Sequence, residues 1–198
     1  MLGLPAQTEL KKQLPKSAVF GKLMLTSAQR EKFDADISRI YIANEISEKT
    51  VNIASGQEIK SIFVLHIILK QENVDRDNIM ILSKMIPQNI VFLLEFESNY
   101  KLAVFHTKLL TTQWTSSPML HLQGLNLDIV WETFVKEIGG IVTSDGNSIE
   151  EQISLNEKQE RIQKQIEALE KKLRNAKQFN QQVKIKNEIK VLQKELEL

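Results

Sequence analysis

The sequence predicts an α+β fold, with a mixed or antiparallel sheet of about five strands, packing helices, and a C-terminal long helix or helical hairpin of coiled-coil character. Two runs, 59–70 and 89–96, are apolar on both alternating faces, which is typical of central strands covered on both sides. Segments with helical periodicity lie between and around these runs. From residue 148 onward the chain contains no Gly or Pro, which is typical of long helices.

The first predicted segment, 1–26, is an extended basic arm interrupted by two prolines. Its lysines, opposed only by Glu9, are candidate contacts to nucleic-acid phosphates: Lys11, Lys12, Lys16 and Lys22. A solvated strap is the simpler interpretation, because four lysines without an arginine are few for a phosphate-binding surface.

The second segment, 27–142, is predicted to be the α+β domain. Ser27 is a plausible helix cap, Pro87 is a helix stop, and Gly139-Gly140 is a left-handed stop. The predicted elements are a helix over 27–43, strands over 49–54 and 59–70, a helix over 76–85, a hairpin within 89–107, a weaker strand near 113–116 and a helix over 129–138.

After a predicted linker at 143–148, the segment 149–198 is predicted to be a helical or coiled-coil tail. Ser148 and Glu151 have the spacing of a capping box. Two apolar stripes step by four and three residues, as a coiled-coil seam does, and supply the candidate interaction residues: Ile162, Ile166, Leu169 and Leu173, then Ile185, Ile189, Leu192 and Leu196. At about 100° per residue, the second stripe lies roughly 150° around from the first. Either the chain turns back near 175–182, which we favour, or one helix buries opposite faces in its two halves.

Composition narrows the class of protein. The formal net charge is only +1, so no overall field favours nucleic acid or a membrane. The chain has no cysteine, which excludes thiolate chemistry and suits a reducing compartment. Its N-terminal residues lack the apolar core of a signal peptide, and its apolar runs are too short to span a bilayer. We therefore expect a cytoplasmic protein without a membrane partner.

No common catalytic or cofactor motif is present, including the P-loop, the dinucleotide-binding glycine pattern and the nucleophile elbow. The histidines, His66, His106 and His121, lack metal-ligand spacing, and we interpret them as satisfied core or edge residues. Four aromatic residues, Trp114, Trp131, Tyr41 and Tyr100, are dispersed along the sequence, without a stacking platform for single-stranded nucleic acid. We expect no metal and no cofactor, and the sequence favours a non-enzyme without deciding the matter.

One weaker catalytic hypothesis concerns the end of the second central strand. Glu95 and Glu97 are two residues apart, with Lys101 across the predicted turn, and a Mg²⁺-dependent nuclease uses acids and a lysine at such a place. The run 59–70 contains no acid, however, and no lysine directly follows Glu97. The alternative is a carboxylate pair at a solvent-facing strand end, partnered by Lys101.

Several short phrases carry a resemblance to a known family: Leu4-Pro5 with Thr8-Glu9, Leu14-Pro15-Lys16, Ile86-Pro87 leading into 90–96, 122–128, and Lys177-Gln178-Phe179-Asn180 with Val183. On these phrases the chain resembles, over nearly its whole length, a bacterial family defined as a domain of unknown function. Its members are often encoded beside type III restriction-modification or helicase genes of phage-defence islands. The family brings no agreed catalytic residues, and the resemblance implies an accessory subunit of a DNA-directed complex.

Together these observations predict a non-catalytic interaction subunit of a bacterial restriction or phage-defence complex that docks through its helical tail. The expected partner is a protein, such as a helicase or methyltransferase subunit, or a second copy bound through the tail. The alternatives are the divergent nuclease using Glu95 and Glu97, and a nucleic-acid-binding module using the basic arm.

Overall fold

The computed structural model describes residues 2–142, 148–176 and 178–196. The chain divides into two units, Met1–Ile141 and Val142–Leu198. The predicted linker at 143–148 lies outside the described residues except for Ser148. Within the described ranges, no helix combines the length and the apolar character that crossing a membrane requires.

The first unit is built on one six-stranded mixed sheet whose spatial order follows the chain, which confirms the predicted α+β class. Neighbouring strands are antiparallel except for the third and fourth, which run parallel. The strands are β1 (Glu9–Gln13), β2 (Ile37–Ser47), β3 (Ser61–Leu69), β4 (Asn89–Phe96), β5 (Asn99–Phe105) and β6 (Leu109–Thr111).

Among the residues described for this unit, five α-helices accompany the sheet: α1 (Lys16–Lys22), α2 (Ser27–Asp36), α3 (Glu48–Val51), α4 (Arg76–Met85) and α5 (Leu127–Gly139). One face of the sheet is covered by α1, α2 and α4, whose Val19, Phe33 and Leu82 are fully buried in the same core as Leu65 and Phe92. The helix α5 contacts β3, β5 and β6. It begins at the Asn126 cap and ends at left-handed Gly140, close to the prediction.

A buried carboxylate ties α2 to α4. Asp36, at the end of α2, accepts hydrogen bonds from the Asn78 side-chain amide at 2.7 Å, the Asp75 backbone amide at 2.8 Å, and the Gln71 side chain. Asp75 in turn caps α4 by accepting from the Asp77 amide at 2.9 Å. Because α4 connects the parallel strands β3 and β4, this network fixes the position of the crossover.

Residues 1–26 are not the predicted extended arm. The part described from residue 2 contains a 3-10 turn over Ala6–Thr8, the edge strand β1, and the helix α1. Leu14 and Phe20 pack against the core under the sheet, so this segment belongs to the first unit. The segment packs there because apolar residues lie between its lysines. A count of charged residues does not detect them.

Three further element predictions differ from the structure. The helix predicted over 27–43 ends at Asp36, and the strand β2 takes the remainder. The strand predicted over 49–54 is instead the short helix α3, because Ser47 and Thr50 form a capping box there. The weak strand predicted near 113–116 is reduced to an isolated bridge at Thr115, and β6 forms earlier in the chain.

The second unit is the helical hairpin that the offset stripes favoured. It consists of α6 (Ile149–Asn175) and α7 (Phe179–Leu196). The predicted capping box is present, with the Glu151 amide donating to Ser148 Oγ and the Ser148 amide donating to Glu151 Oε2. Both predicted stripes meet in one core, in which Ile162, Ile166 and Ile189 are buried. Lys158 of α6 and Glu195, in the last turn of α7, form an ion pair at 3.2 Å.

A first prediction concerns the turn between β4 and β5. Glu97 and Ser98 have left-handed φ values of 47° and 64°, as a two-residue type I′ turn requires, although neither residue is favoured there. Replacing them by Asn and Gly should raise the free energy of unfolding by about 1 kcal/mol. Urea denaturation followed by circular dichroism measures this change. Ser116→Gly, outside any left-handed position, is the control and should give no gain.

A second prediction concerns Asp128, which accepts from the backbone amides of Ile59 at 2.8 Å and Gln57 at 2.7 Å. The hydrogen bond from the Ile59 amide, with others from the same loop, lowers the pKa of Asp128 below its ordinary value. A Cβ at Gly56 would lie 2.0 Å from Asp128 Oδ1, so this loop fits closely around the carboxylate.

Because folding lowers this pKa, the stabilisation is present above the unfolded pKa of about 4 and is lost as the pH falls through the lower folded value. Asp128→Asn should therefore unfold more easily than the wild type at neutral pH, and the difference should shrink in acid. Urea midpoints measured across this range test it. A difference that stays constant with pH would contradict the role of the carboxylate charge.

Candidate functional site

One face of the sheet is closed along part of its length and open at the carboxyl ends of β3 and β4. Val64 and Val91 are fully buried on this face. His66 and Glu95 lie two and four residues farther along the same face, and their side chains are 19% and 24% exposed. The carboxyl ends of parallel strands are a common place for ligand sites in sheets.

His66 and Glu95 form a direct pair at this opening. Nε2 of His66 lies 2.5 Å from Oε2 of Glu95. Because a carboxylate oxygen accepts hydrogen bonds, this contact assigns the imidazole proton to Nε2 and leaves Nδ1 as the second polar atom of the ring. The carboxylate thus fixes both the orientation and the tautomer of the histidine.

Two tyrosines flank His66 across the sheet. The Tyr41 ring lies 6.2 Å from the His66 ring, centre to centre, at an interplanar angle of 35°. The Tyr100 ring lies on the other side at 6.5 Å and 46°. The strand register explains the row, because Tyr41 pairs with His66 and Tyr100 pairs with Glu95. The interpretation of Tyr41 and Tyr100 as dispersed therefore does not hold in the fold.

A cavity of about 310 Å³ adjoins this row of rings. Its polar and aromatic lining consists of Glu9, Lys11, Tyr41, Asn44 and His66. Its apolar lining consists of Leu2, Leu4, Ala43 and Leu93.

The N-terminal wall of the cavity is held by specific hydrogen bonds. The Asn44 side chain donates to Thr8 Oγ1 at 2.8 Å, and that hydroxyl donates to the Pro5 carbonyl at 2.7 Å. The Leu120 amide donates to the Leu2 carbonyl at 3.0 Å. These bonds attach the first residues to the sheet, so the wall is part of the fold.

Two β-bulges direct side chains into the cavity. One interrupts the pairing of β1 with β2 between Glu9 and Lys12, and Lys11 within it has a left-handed φ of 48°. The other interrupts the pairing of β2 with β3 between Ile42 and Asn44. A bulge places an extra residue on one strand and redirects the neighbouring side chains, which here line the cavity.

Glu9 and Lys11 form an ion pair at 2.5 Å on the rim. The hydrogen bond from the Lys11 ammonium, together with its charge, lowers the pKa of Glu9 below its ordinary value. Both side chains are well exposed, so the pair is accessible to a charged ligand.

The nuclease candidates do not converge. Glu95 lies on β4 and binds His66, whereas Glu97 lies beyond the strand in the left-handed turn. The Lys101 ammonium lies 4.7 Å from the centre of the Trp114 ring, and Trp114 packs against the core on the opposite face. Among the residues that the structure describes, no three or more acidic, histidine or cysteine side chains are grouped so that they could hold a metal ion.

The four candidate lysines of the N-terminal segment are also separated. Lys11 pairs with Glu9, and Lys16 pairs with Asp34 at 2.7 Å. Lys12 is exposed on β1, and Lys22 is exposed in the last turn of α1. Of the remaining histidines, His121 lies 3.0 Å from Glu137, and His106 has interactions of its own.

The second unit has a candidate site of its own, a groove of about 700 Å³ between α6 and α7. The eight predicted interaction residues form the core of the hairpin, where they contact one another. Two of these core residues, Leu169 and Leu192, also line the groove. The rest of its lining lies beside the core: Gln165, Ala168, Lys172, Lys184, Asn187, Glu188 and Val191.

The sequence contains a signal for the pair of His66 and Glu95, although our interpretation of these residues missed it. His66 is the only polar residue within the run 62–69, and Glu95 is the only charged residue of β4. A polar group inside a buried strand needs a partner, and each of these residues is the partner of the other. The short distance between His66 and Glu95 depends on the parallel register of β3 and β4. Hydrophobic periodicity does not predict that register.

A third prediction tests the tautomer of His66. Nitrogen-15 NMR of the imidazoles should show the proton on Nε2 in the wild type, and Glu95→Ala should change the His66 signals. His121, whose Nδ1 faces Glu137, is the internal control and should respond to Glu137→Ala only. A His66 spectrum unchanged by Glu95→Ala would contradict the pair.

Comparison with known proteins places the chain in a family. No curated protein and no solved structure matches the chain. The family model described as "Domain of unknown function (DUF4391)" matches residues 2–196, which takes in both units. The chain therefore belongs to this family.

Proposed function

We propose that the chain is a non-catalytic interaction subunit that docks on a helix of a partner protein through the groove between α6 and α7. The observation that supports this proposal most directly is the exposure of Val191, which is 65% exposed while lining an apolar groove. A hydrophobic side chain in that position gains from being covered, whereas the core residues of the hairpin are already covered.

The shape and residue types of the groove suit a third helix. Ala168 leaves space on α6, and Leu169 and Leu192 form an apolar floor between the helices. Two packed helices present such a groove to a third one, and an amphipathic helix of a partner binds it through apolar residues spaced three and four apart.

Charge indicates what such a partner helix should carry. Lys172 and Lys184 lie on the rim of the groove, opposed there by Glu188. A partner helix with acidic residues beside its apolar stripe complements the two ammonium groups. We infer a protein partner of that kind, and a second copy of the chain is an outcome that the experiment distinguishes.

The proposed setting is a DNA-directed restriction or phage-defence complex, with a helicase or methyltransferase subunit as the expected partner. This setting rests on the family resemblance, because members of the family are often encoded beside restriction-modification or helicase genes. The groove itself supports protein docking and is independent of that setting.

A fourth prediction tests the docking groove. Val191→Lys places a charge in the groove without touching the buried core of the hairpin, so the partner should be lost while the variant stays folded. Val183→Lys is the matched control, because Val183 is an exposed valine of the same helix that does not line the groove. Affinity purification of each tagged full chain from the native host, followed by mass spectrometry, measures the partner.

The proposal requires one protein that co-purifies with the wild type and with Val183→Lys but is depleted at least tenfold with Val191→Lys. If that protein is the chain itself, light scattering will show an oligomer that Val191→Lys dissociates. A wild-type chain that purifies alone as a monomer, or a partner retained by Val191→Lys, would overturn the proposal.

A further inference from the structure

The cavity at the open sheet face has features that the docking groove does not explain. Tyr41, His66 and Tyr100 place three rings in a row across β2, β3 and β5. The rings are tilted by 35° and 46°, so they do not stack face to face on one another. A row of partly exposed aromatic rings on a sheet is a surface on which flat heteroaromatic ligands stack.

Cationic groups lie on both sides of Tyr41. Lys11 lines the cavity from the bulge in β1. Arg39 is exposed two residues before Tyr41 on β2, and its pairing with Ile68 places it on the same face. A ligand whose ring lies on Tyr41 therefore has a cation within reach on either side, as a phosphate attached to that ring requires.

The polar groups suit the edge of a heteroaromatic ring. Nδ1 of His66 is the second polar atom of the imidazole once Glu95 binds Nε2. Asn44 and Glu9 contribute an amide and a carboxylate to the same cavity, while Leu4 and Leu93 contribute apolar surface. The volume of about 310 Å³ accommodates one base with its sugar.

We propose that this cavity binds a nucleobase, which stacks on Tyr41 beside His66 while Lys11 and Arg39 contact the attached phosphates. The base comes either from a single strand of nucleic acid, which can continue over Tyr100, or from a free nucleotide. Duplex DNA does not fit, because its bases are stacked and paired and do not expose a face.

The experiment measures binding of the full chain to a short fluorescein-labelled oligothymidylate by anisotropy at low salt. Unlabelled mononucleotide and a matched duplex serve as competitors. Tyr41→Ala and Tyr100→Ala remove rings, whereas Tyr41→Phe and Tyr100→Phe keep them. Removing a stacking ring should weaken binding about tenfold, and the Phe variants should bind like the wild type. His121→Ala, which removes an aromatic ring outside the cavity, is the control and should bind like the wild type.

The two sources of the base give different results. For single-stranded nucleic acid, the oligonucleotide binds far more tightly than the mononucleotide, affinity falls with salt, and both Ala variants are weakened. For a free nucleotide, the mononucleotide competes as well as the oligonucleotide, and only Tyr41→Ala is weakened. Either result supports the proposal.

A measurement on the unmodified chain covers the case in which an Ala variant does not fold. Adding the oligonucleotide or the mononucleotide to the wild type should shift the imidazole NMR signals of His66 and leave those of His121 in place. The proposal is overturned by a folded wild type that binds neither probe, by binding that survives both Ala variants, or by a duplex that competes as well as the single strand. None of these results depends on the groove of the second unit.

Discussion

The parallel pairing of β3 with β4 is the constraint on which the rest of the first unit depends. Parallel neighbours need a crossover, and α4 supplies it while it packs on the face already covered by α1 and α2. The pairing also brings the carboxyl ends of both strands together. His66 and Glu95, 29 positions apart in the chain, meet at 2.5 Å for that reason. One register thus sets both the core and the site.

On the opposite face of the sheet, the extent of the buried part determines where a ligand site can form. Over the first part of β3 and β4, Val64 and Val91 are buried, so the sheet serves as core there. Beyond them the same face carries His66 and Glu95 beside a cavity whose wall is the N-terminal segment. That segment is fastened through Thr8 and Asn44, both of them buried and bonded to each other. Polar side chains are tolerated in this position because each has a partner.

Local sequence patterns predict an element correctly where one segment contains both the residues that end the element and its hydrophobic periodicity. The helix α4 was predicted from its cap and Pro87, the β4–β5 hairpin from its apolar strands, and the helical hairpin from two offset stripes. The start of β2 was predicted as helix because a bulge disturbs its alternation. Through that bulge Ile37 and Ile40, three residues apart, reach the same core, which imitates a helical spacing.

The site was less predictable than the fold, since its members come from separate strands and meet only through register. The sequence predicts a partnership of Glu95 with Glu97 and Lys101. In the structure a left-handed turn removes Glu97 from the strand, and the alternation of side chains places Lys101 on the opposite face. The same limit applies to the tail. The sequence predicts that its two apolar stripes contact a partner, whereas in the structure the chain turns back and the stripes cover each other. Hydrophobic periodicity identifies the residues that must be buried, but only the fold shows which residues cover them. The apolar residues of the groove that stay exposed, Val191 and Ala168, consequently lie beside the stripes.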